Sequence, residues 1–348
     1  MGLLGYAYIL VAVAPDYYYV SVQEDEYVEW ASFWAFLAAS ALFLLSAVRQ
    51  RRNLPWFLTG LALFCFVVAM EEISWGQRII GYRPPVYFLE HNFQQELNLH
   101  NVVDTSLRKL GLKVIILGYG VVLPLAALVP AMGRWLNKLG IVAPPAAMIP
   151  AFLAVFVTYQ IYPWKHSGEW VELMLGLAFL FVALARSEDQ GERPGMTAPA
   201  LALVIGWLVV MVLGASTAAA SRIYRNALPE TVDAARQEIE ALRVDFEARR
   251  VTSRCGLHKR LYTYVQKYEQ TYLLEGVFAG LKAQGLPKER ADFFLDPWNS
   301  PYWVRDSCPT GSRKRQVFVY SFGPNRKRES SRSQIRGDDV GVFIAGVP

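Results

Sequence analysis

Residues 55–77, PWFLTGLALFCFVVAMEEISWGQ, decide the architecture. From Trp56 to Met70 no side chain is charged, and then two glutamates arrive together. A helix satisfies its own backbone polar groups, so an apolar run of about this length is suited to a hydrocarbon core of roughly 30 Å. Six further apolar blocks lie near residues 2–22, 30–48, 113–131, 142–163, 170–185 and 198–220. The chain of 348 residues is 53% hydrophobic, above the soluble range, and that excess is collected in blocks rather than spread evenly. The expected fold class is therefore an α-helical polytopic membrane protein of about seven transmembrane helices, residues 1–222, followed by a domain over 223–348 outside the membrane.

The first block also has a signal-peptide aspect, with small residues at cleavage spacing in Ala12-Val13-Ala14. No Lys or Arg precedes it and Pro15 would follow the cut, so it is expected to remain a helix. Its far end, Asp16-Tyr17-Tyr18-Tyr19, then forms an interfacial aromatic belt.

Basic residues in the short loops set the orientation. Arg49, Arg51 and Arg52, then Arg134 and Lys138, then Arg186 and Arg193 all fall on one side. Glu24-Asp25-Glu26 and the long segment 73–112 fall on the other. The N-terminus is thus expected in the cytoplasm and everything after residue 222 outside it, in the periplasm if the membrane is a bacterial inner membrane. Cys255 and Cys308 both lie in that exported part, where a disulfide between them is expected, while Cys65 sits within an apolar block. From Ser221 onward there are 22 Lys and Arg against 15 Asp and Glu, a balance of +7 in a chain of +5. Outside the cytoplasm that balance points to membrane lipid, envelope polymer or an acidic protein partner, and no nucleic-acid motif is present.

Residues 229–250, PETVDAARQEIEALRVDFEARR, are strong helix formers with Pro229 near the start and an apolar stripe of Val232, Ile239, Leu242 and Phe246. Residues 257–283 are expected to give a second helical stretch. LDPWNSPYWVRD, RQVFVYSFGPN and DDVGVFI follow as three strands with turns. The pieces Asp296-Pro297-Trp298-Asn299-Ser300-Pro301-Tyr302, Tyr320-Ser321-Phe322-Gly323 and Asp338-Asp339-Val340-Gly341, in this order after a long helix, resemble the major pseudopilin of type II secretion systems over the last third of the chain. The resemblance implies a long helix on a small antiparallel sheet, and calcium bound before the last strand, which falls on Asp338 and Asp339 here. Two features depart from that pattern. The segment Arg326-Lys327-Arg328-Glu329-Ser330-Ser331-Arg332 is basic, and no prepilin-peptidase site precedes the last apolar block. Turn chemistry and strand capping are the plainer roles for Asp338 and Asp339.

Polar chemistry also gathers beside the membrane blocks. Glu71 and Glu72 end the third block, and the next segment carries His91, Glu96 and His100. The strings EEISWGQ and ELNLHN resemble those of uncharacterised bacterial polytopic membrane proteins, which implies a family without an activity. On a helix, Glu96 and His100 share a face. Glu29, His166, Glu169 and Glu172 are expected at the same depth, so four segments bring acids and histidines together. Such a layer suits a transition metal on Glu96, His100 and His166, or acid-base catalysis by Glu71, Glu72, Glu96 and His100. The plainer role is interfacial, with pairing to Arg78, Arg83 and Lys165 and with Trp75 and Trp170 as belt residues.

No nucleophile elbow, phosphate loop, dinucleotide fingerprint, metalloprotease helix or haem-attachment motif occurs. The domain combination favours a membrane-anchored interaction protein, an accessory subunit of a larger envelope complex. The alternative is a membrane-embedded metal- or carboxylate-dependent enzyme on a lipid-like substrate. Transport stands third, because there is no internal repeat.

Overall fold

A computed structural model describes residues 2–23, 25–50, 55–92, 94–189, 198–225, 229–249, 256–272, 279–307, 316–331 and 334–344. Cys255 and Cys308 lie outside the described residues, and Cys65 is a buried free thiol. The chain divides into two compact units, Met1–Gly76 with Asn98–Ala220, and Gln77–Leu97 with Ser221–Pro348.

In the first unit, four helices among the described residues are long and apolar enough to cross a membrane: Tyr27–Arg49, Thr105–Ala127, Ser167–Arg186 and Leu201–Ile223. The other apolar blocks give shorter helices, Gly2–Val13, Trp56–Glu72 and Ala146–Ile161. The first block breaks at Ala14, whose φ of −137° and ψ of 63° are non-helical, because the ring of Pro15 excludes the helical conformation from the residue before it. The block expected at 113–131 starts earlier, at Thr105, since the Asp104 carboxylate caps the helix by accepting from the N–H groups of Ser106 and Leu107. It ends at Ala127, where Pro130 starts a separate helix, Pro130–Lys138.

Within lipid there is little hydrophobic drive between helices, so close approach and ring packing carry association. At Gly120 a Cβ would lie 2.1 Å from the ring of Phe152, and only a glycine admits that contact. Tyr119 stacks on Phe179 at 5.3 Å, and Phe36 and Phe43 are buried in the same core.

The second unit is α+β. The helix Pro229–Arg249 buries Ala235, Ile239, Leu242 and Phe246, with Val232 partly buried beside them, which is the stripe expected from the sequence. It packs against an antiparallel sheet of order β1-β2-β3-β4, formed by β1 (His258–Arg260), β2 (Trp303–Ser307), β3 (Gln316–Ser321) and β4 (Val340–Ile344). Val304, Val319 and Val342 stand in register across β2, β3 and β4 and face the core. The last three strands match the expected runs. The first corrects the sequence reading, which placed all of 257–283 in a helix. The helix begins only at Leu261, and the three residues before it owe their strand state to pairing with β2 rather than to propensity.

Two buried polar clamps hold this unit. Asp296 accepts hydrogen bonds from the N–H of Trp298 at 3.0 Å, the N–H of Ser300 at 2.8 Å and the Ser321 hydroxyl at 2.5 Å. Glu238 pairs with Arg290 and accepts from the Tyr302 hydroxyl at 2.7 Å. Removing one partner of such a pair leaves a buried charge uncompensated.

A single boundary at 222/223 does not capture Gln77–Leu97, which groups with the C-terminal unit. Leu89 joins Phe293 and Leu295 in an apolar cluster, Asn299 donates to the Gly81 carbonyl at 2.7 Å, and Arg83 pairs with Glu289 at 3.0 Å. These contacts lie far apart in sequence, which is why composition alone does not reveal them.

Candidate functional site

Acids gather in two places, one in each unit. In the first unit the helix Trp56–Glu72 ends in a turn where Ser74, Trp75 and Gly76 all have positive φ, at 46°, 55° and 77°. Consecutive residues in the left-handed region are strained when they carry side chains, so surrounding contacts must hold them. Glu71 supplies several. One of its oxygens accepts from Trp75 Nε1 at 2.6 Å, and the other accepts from the N–H of Leu99 at 2.6 Å and of His100 at 3.0 Å. His100 Nδ1 stands 3.3 Å from that second oxygen.

Around this turn the expected acids do meet. Glu72 lies within electrostatic reach of Glu172, Glu29, Glu169 and Glu71, and Glu172 in turn of His100 and Arg108. Three helices supply the acids of this cluster, with His100 from the segment before Thr105 and Arg108 from the helix that follows it. Glu29 is also engaged locally, accepting from the Asp25 N–H.

Other expectations change. The described residues from 94 to 104 contain no helix, so Glu96 and His100 do not share a helical face, and they fall in different units. The dipeptides and turns of this segment are held by side-chain bonds such as Asn92 Nδ2 to the Glu96 carbonyl at 2.6 Å, which compete with helix formation. His166, at a φ of 61°, packs its ring against Tyr19 at 5.8 Å. His91 stacks on Tyr87 at 4.5 Å. Arg83, expected to pair within the acid layer, is the partner of Glu289.

In the second unit Asp338 and Asp339 are joined by Glu329, and one oxygen from each lies within 4.8 Å of the others. Asp339 Oδ2 accepts from the N–H of Ser330 at 2.7 Å and of Glu329 at 3.2 Å. Asp338 Oδ2 accepts from the Asn325 N–H at 2.9 Å, and Glu329 Oε2 accepts from the Asp338 N–H at 2.8 Å. The remaining oxygens, Asp338 Oδ1 and Asp339 Oδ1, are buried and meet no donor among the described residues. Burial foremost pushes both carboxyls up to about 7, with the neighbouring acids adding to it.

The donor set fits a hard dication. Three carboxylate oxygens within 4.8 Å of one another enclose a space on the scale of one calcium ion, whose Ca–O distances are roughly 2.3–2.6 Å. Of the loop's cations, Arg326 is engaged elsewhere, donating to the Trp298 carbonyl at 2.6 Å. Gly337 is required by the geometry, because at its φ of 63° a Cβ would lie 1.6 Å from Glu329 Oε2. Sequence reasoning counted Glu329 as part of a basic run; its one available signal was an acid standing alone among cations.

No family model, curated protein or solved structure matches this chain.

Proposed function

We propose that the chain is a membrane-anchored interaction protein, an accessory subunit of a larger cell-envelope complex, which docks a protein partner through a pseudopilin-like C-terminal unit. In this reading seven helices cross the inner membrane, the N-terminus is cytoplasmic and the C-terminal unit is periplasmic. The observation that supports it most is that the C-terminal unit has its own core and recruits Gln77–Leu97 from between two membrane blocks, so the chain passes three times between the units. A tether would need one passage. The three carboxylates before β4 then serve as a calcium site that orders the loop between β3 and β4. Purification in mild detergent is expected to bring down a stoichiometric partner; repeated isolation as a lone monomer counts against docking.

The acid cluster favours a second reading, a carboxylate- or metal-dependent enzyme on a lipid-like substrate. Glu72, among four other carboxylates and near His100 through Glu172, is its best base. Element-resolved metal analysis of the protein beside Glu72→Ala and a Glu96→Ala/His100→Ala double variant separates the readings. Stoichiometric zinc, iron or manganese that is lost on substitution supports the enzyme; calcium alone leaves docking ahead.

A further inference from the structure

At one end of the helices of the first unit lies a cavity of about 350 Å³, at the small end of the range of ligand sites. Its lining fixes its depth in the membrane. Ala127 and Arg186 are the last residues of the spans Thr105–Ala127 and Ser167–Arg186, and Gln50 caps the span Tyr27–Arg49. Three spans that end on one cavity put it where hydrocarbon gives way to headgroups. The helix Pro130–Lys138 and the turn after it add Gly133, Asn137 and Gly140 to the wall. That wall is held in place. Trp56 Nε1 donates to the Leu139 carbonyl at 2.8 Å, and at Gly133 a Cβ would lie 2.9 Å from the Ala127 carbonyl oxygen, so a glycine lets this helix lie against the end of the span.

Two polar atoms of the lining are left over. Arg186 Nε and Gln50 Oε1 are buried and meet no hydrogen-bonding partner among the described residues. The first is a cationic donor and the second a neutral acceptor, and buried groups of either kind are ordinarily bonded. No Asp or Glu is among the described residues that line the cavity, so the guanidinium has no counter-charge in the wall. The carboxyl ends of Tyr27–Arg49, Thr105–Ala127 and Pro130–Lys138 meet at the cavity, and a helix carries about half a negative charge at that end. A ligand that satisfies this lining brings an anionic group to Arg186 and a positively charged donor to Gln50 and the helix ends.

We propose that this cavity binds the headgroup of phosphatidylethanolamine, with the phosphate on Arg186 and the ammonium on Gln50 Oε1. A guanidinium matches phosphate in geometry and charge. Phosphatidylcholine has the positive charge without an N–H, and phosphatidylglycerol has donors without the positive charge. The ethanolamine headgroup supplies phosphate, charge and donor together. The cavity has room for the headgroup and leaves the acyl chains outside it, where Met132, Trp135 and Leu139 of the same helix and turn are exposed apolar residues. The occupant is the lipid rather than a soluble phosphoethanolamine, because the cavity lies at the depth that lipid headgroups fill. The assignment rests on residence of the spans in a membrane and neither on docking nor on catalysis.

The test uses the full chain, purified in detergent and stripped of lipid. It is titrated with phosphatidylethanolamine, phosphatidylglycerol, phosphatidylcholine and soluble phosphoethanolamine, and the retained ligand is counted by native mass spectrometry. Phosphatidylethanolamine is expected to bind tightest. Arg186→Gln is expected to weaken it about tenfold or more, as loss of a charge-assisted hydrogen-bonding group does. Gln50→Leu removes the acceptor and is expected to bring phosphatidylethanolamine down to the level of phosphatidylcholine. Arg134→Gln makes the same change of charge on an exposed residue outside the lining; it is the control and leaves affinity unchanged. A preference for the ethanolamine lipid that both cavity variants reduce supports the proposal. Preference for phosphatidylglycerol, equal binding of the three lipids, phosphoethanolamine binding as tight as the lipid, or a loss in Arg134→Gln equal to that in Arg186→Gln overturns it. Gln50→Leu, which leaves the charge intact, keeps the test open should Arg186→Gln not fold.

Discussion

Glu71 and Asp339 are both nearly buried carboxylates, 9% and 7% exposed, in the two units of one chain, and their oxygens are occupied in opposite ways. Both oxygens of Glu71 accept from protein donors, three N–H groups in all, with His100 Nδ1 close by. Asp339 has one oxygen bonded and the other without a donor among the described residues, beside two more acids. A saturated carboxylate fixes structure. An incompletely bonded one among like charges is where an external cation lowers the energy, since it relieves both the repulsion and the missing bond.

The sharpest way to break this contrast is Asp339→Ala. It removes one of the three carboxylates of the proposed calcium site and orphans the N–H groups of Ser330 and Glu329, at a cost of about 2–4 kcal/mol. The wild-type protein is expected to melt at higher temperature with millimolar calcium and the variant to ignore it, as followed by tryptophan fluorescence. Equal calcium response in the two proteins would dissolve the distinction between the two acids.

Next in size is Glu71→Ala, which leaves the N–H of Leu99, the N–H of His100 and Trp75 Nε1 without their acceptor and is expected to cost about 3 kcal/mol. Glu71→Gln, which retains one accepting oxygen, recovers part of that. Neither is expected to change bound metal, measured by elemental analysis. Metal lost from Glu71→Gln would make Glu71 a ligand and reverse its assignment.

The same contrast explains what the sequence could and could not convey. The apolar blocks and the stripe Ile239, Leu242 and Phe246 are local periodic patterns, so they appear as helices in the structure. The acid cluster was also foreseeable, because ordered blocks of fixed length bring Glu29, Glu72, Glu169 and Glu172 to a common level. What fails is whatever depends on an unpatterned backbone. The shared face of Glu96 and His100 presumed a helix, and the side chains of Asn92 and Glu71 instead bond the local backbone into turns. The grouping of Gln77–Leu97 with the C-terminal unit depends on contacts such as Asn299 to Gly81, across more than two hundred residues, and leaves no local trace. Glu329 was hidden for the opposite reason, since its neighbours Arg326, Lys327 and Arg328 dominate any reading by composition.

Asp296 supplies a third kind of buried acid, bonded by three donors and still raised from 3.8 to about 6, with burial outweighing the hydrogen bonds. Its folded value exceeds the unfolded one, so the folded state holds this proton more tightly. The associated stability is fully present below pH 3.8 and is lost as pH rises through about 6, in total about 3 kcal/mol. Asp296→Asn is expected to fold, because its oxygen still accepts from Trp298 and Ser300, and to lose that part of the pH dependence. A denaturant titration series at pH 4, 5, 6 and 7 checks it, and an unchanged slope in the variant would place the proton elsewhere.

The smallest effect is expected at the pair of Arg83 with Glu289, 3.0 Å apart with side chains 29% and 46% exposed. Solvent screens a pair at that exposure, so Glu289→Gln is expected to cost about 0.5 kcal/mol or less and to lose even that in molar salt. The apolar contact of Leu89 with Phe293 and Leu295 is the stronger hold on the same segment, and Leu89, fully buried, has no water to retreat to. Leu89→Ala is accordingly expected to cost several times more than Glu289→Gln, about 2–4 kcal/mol, with no salt dependence. Limited proteolysis of 77–97 compares the two variants directly. Faster cleavage in Leu89→Ala alone assigns the grouping of this segment to apolar burial by its helix Val86–His91; equal or faster cleavage in Glu289→Gln assigns it to charge.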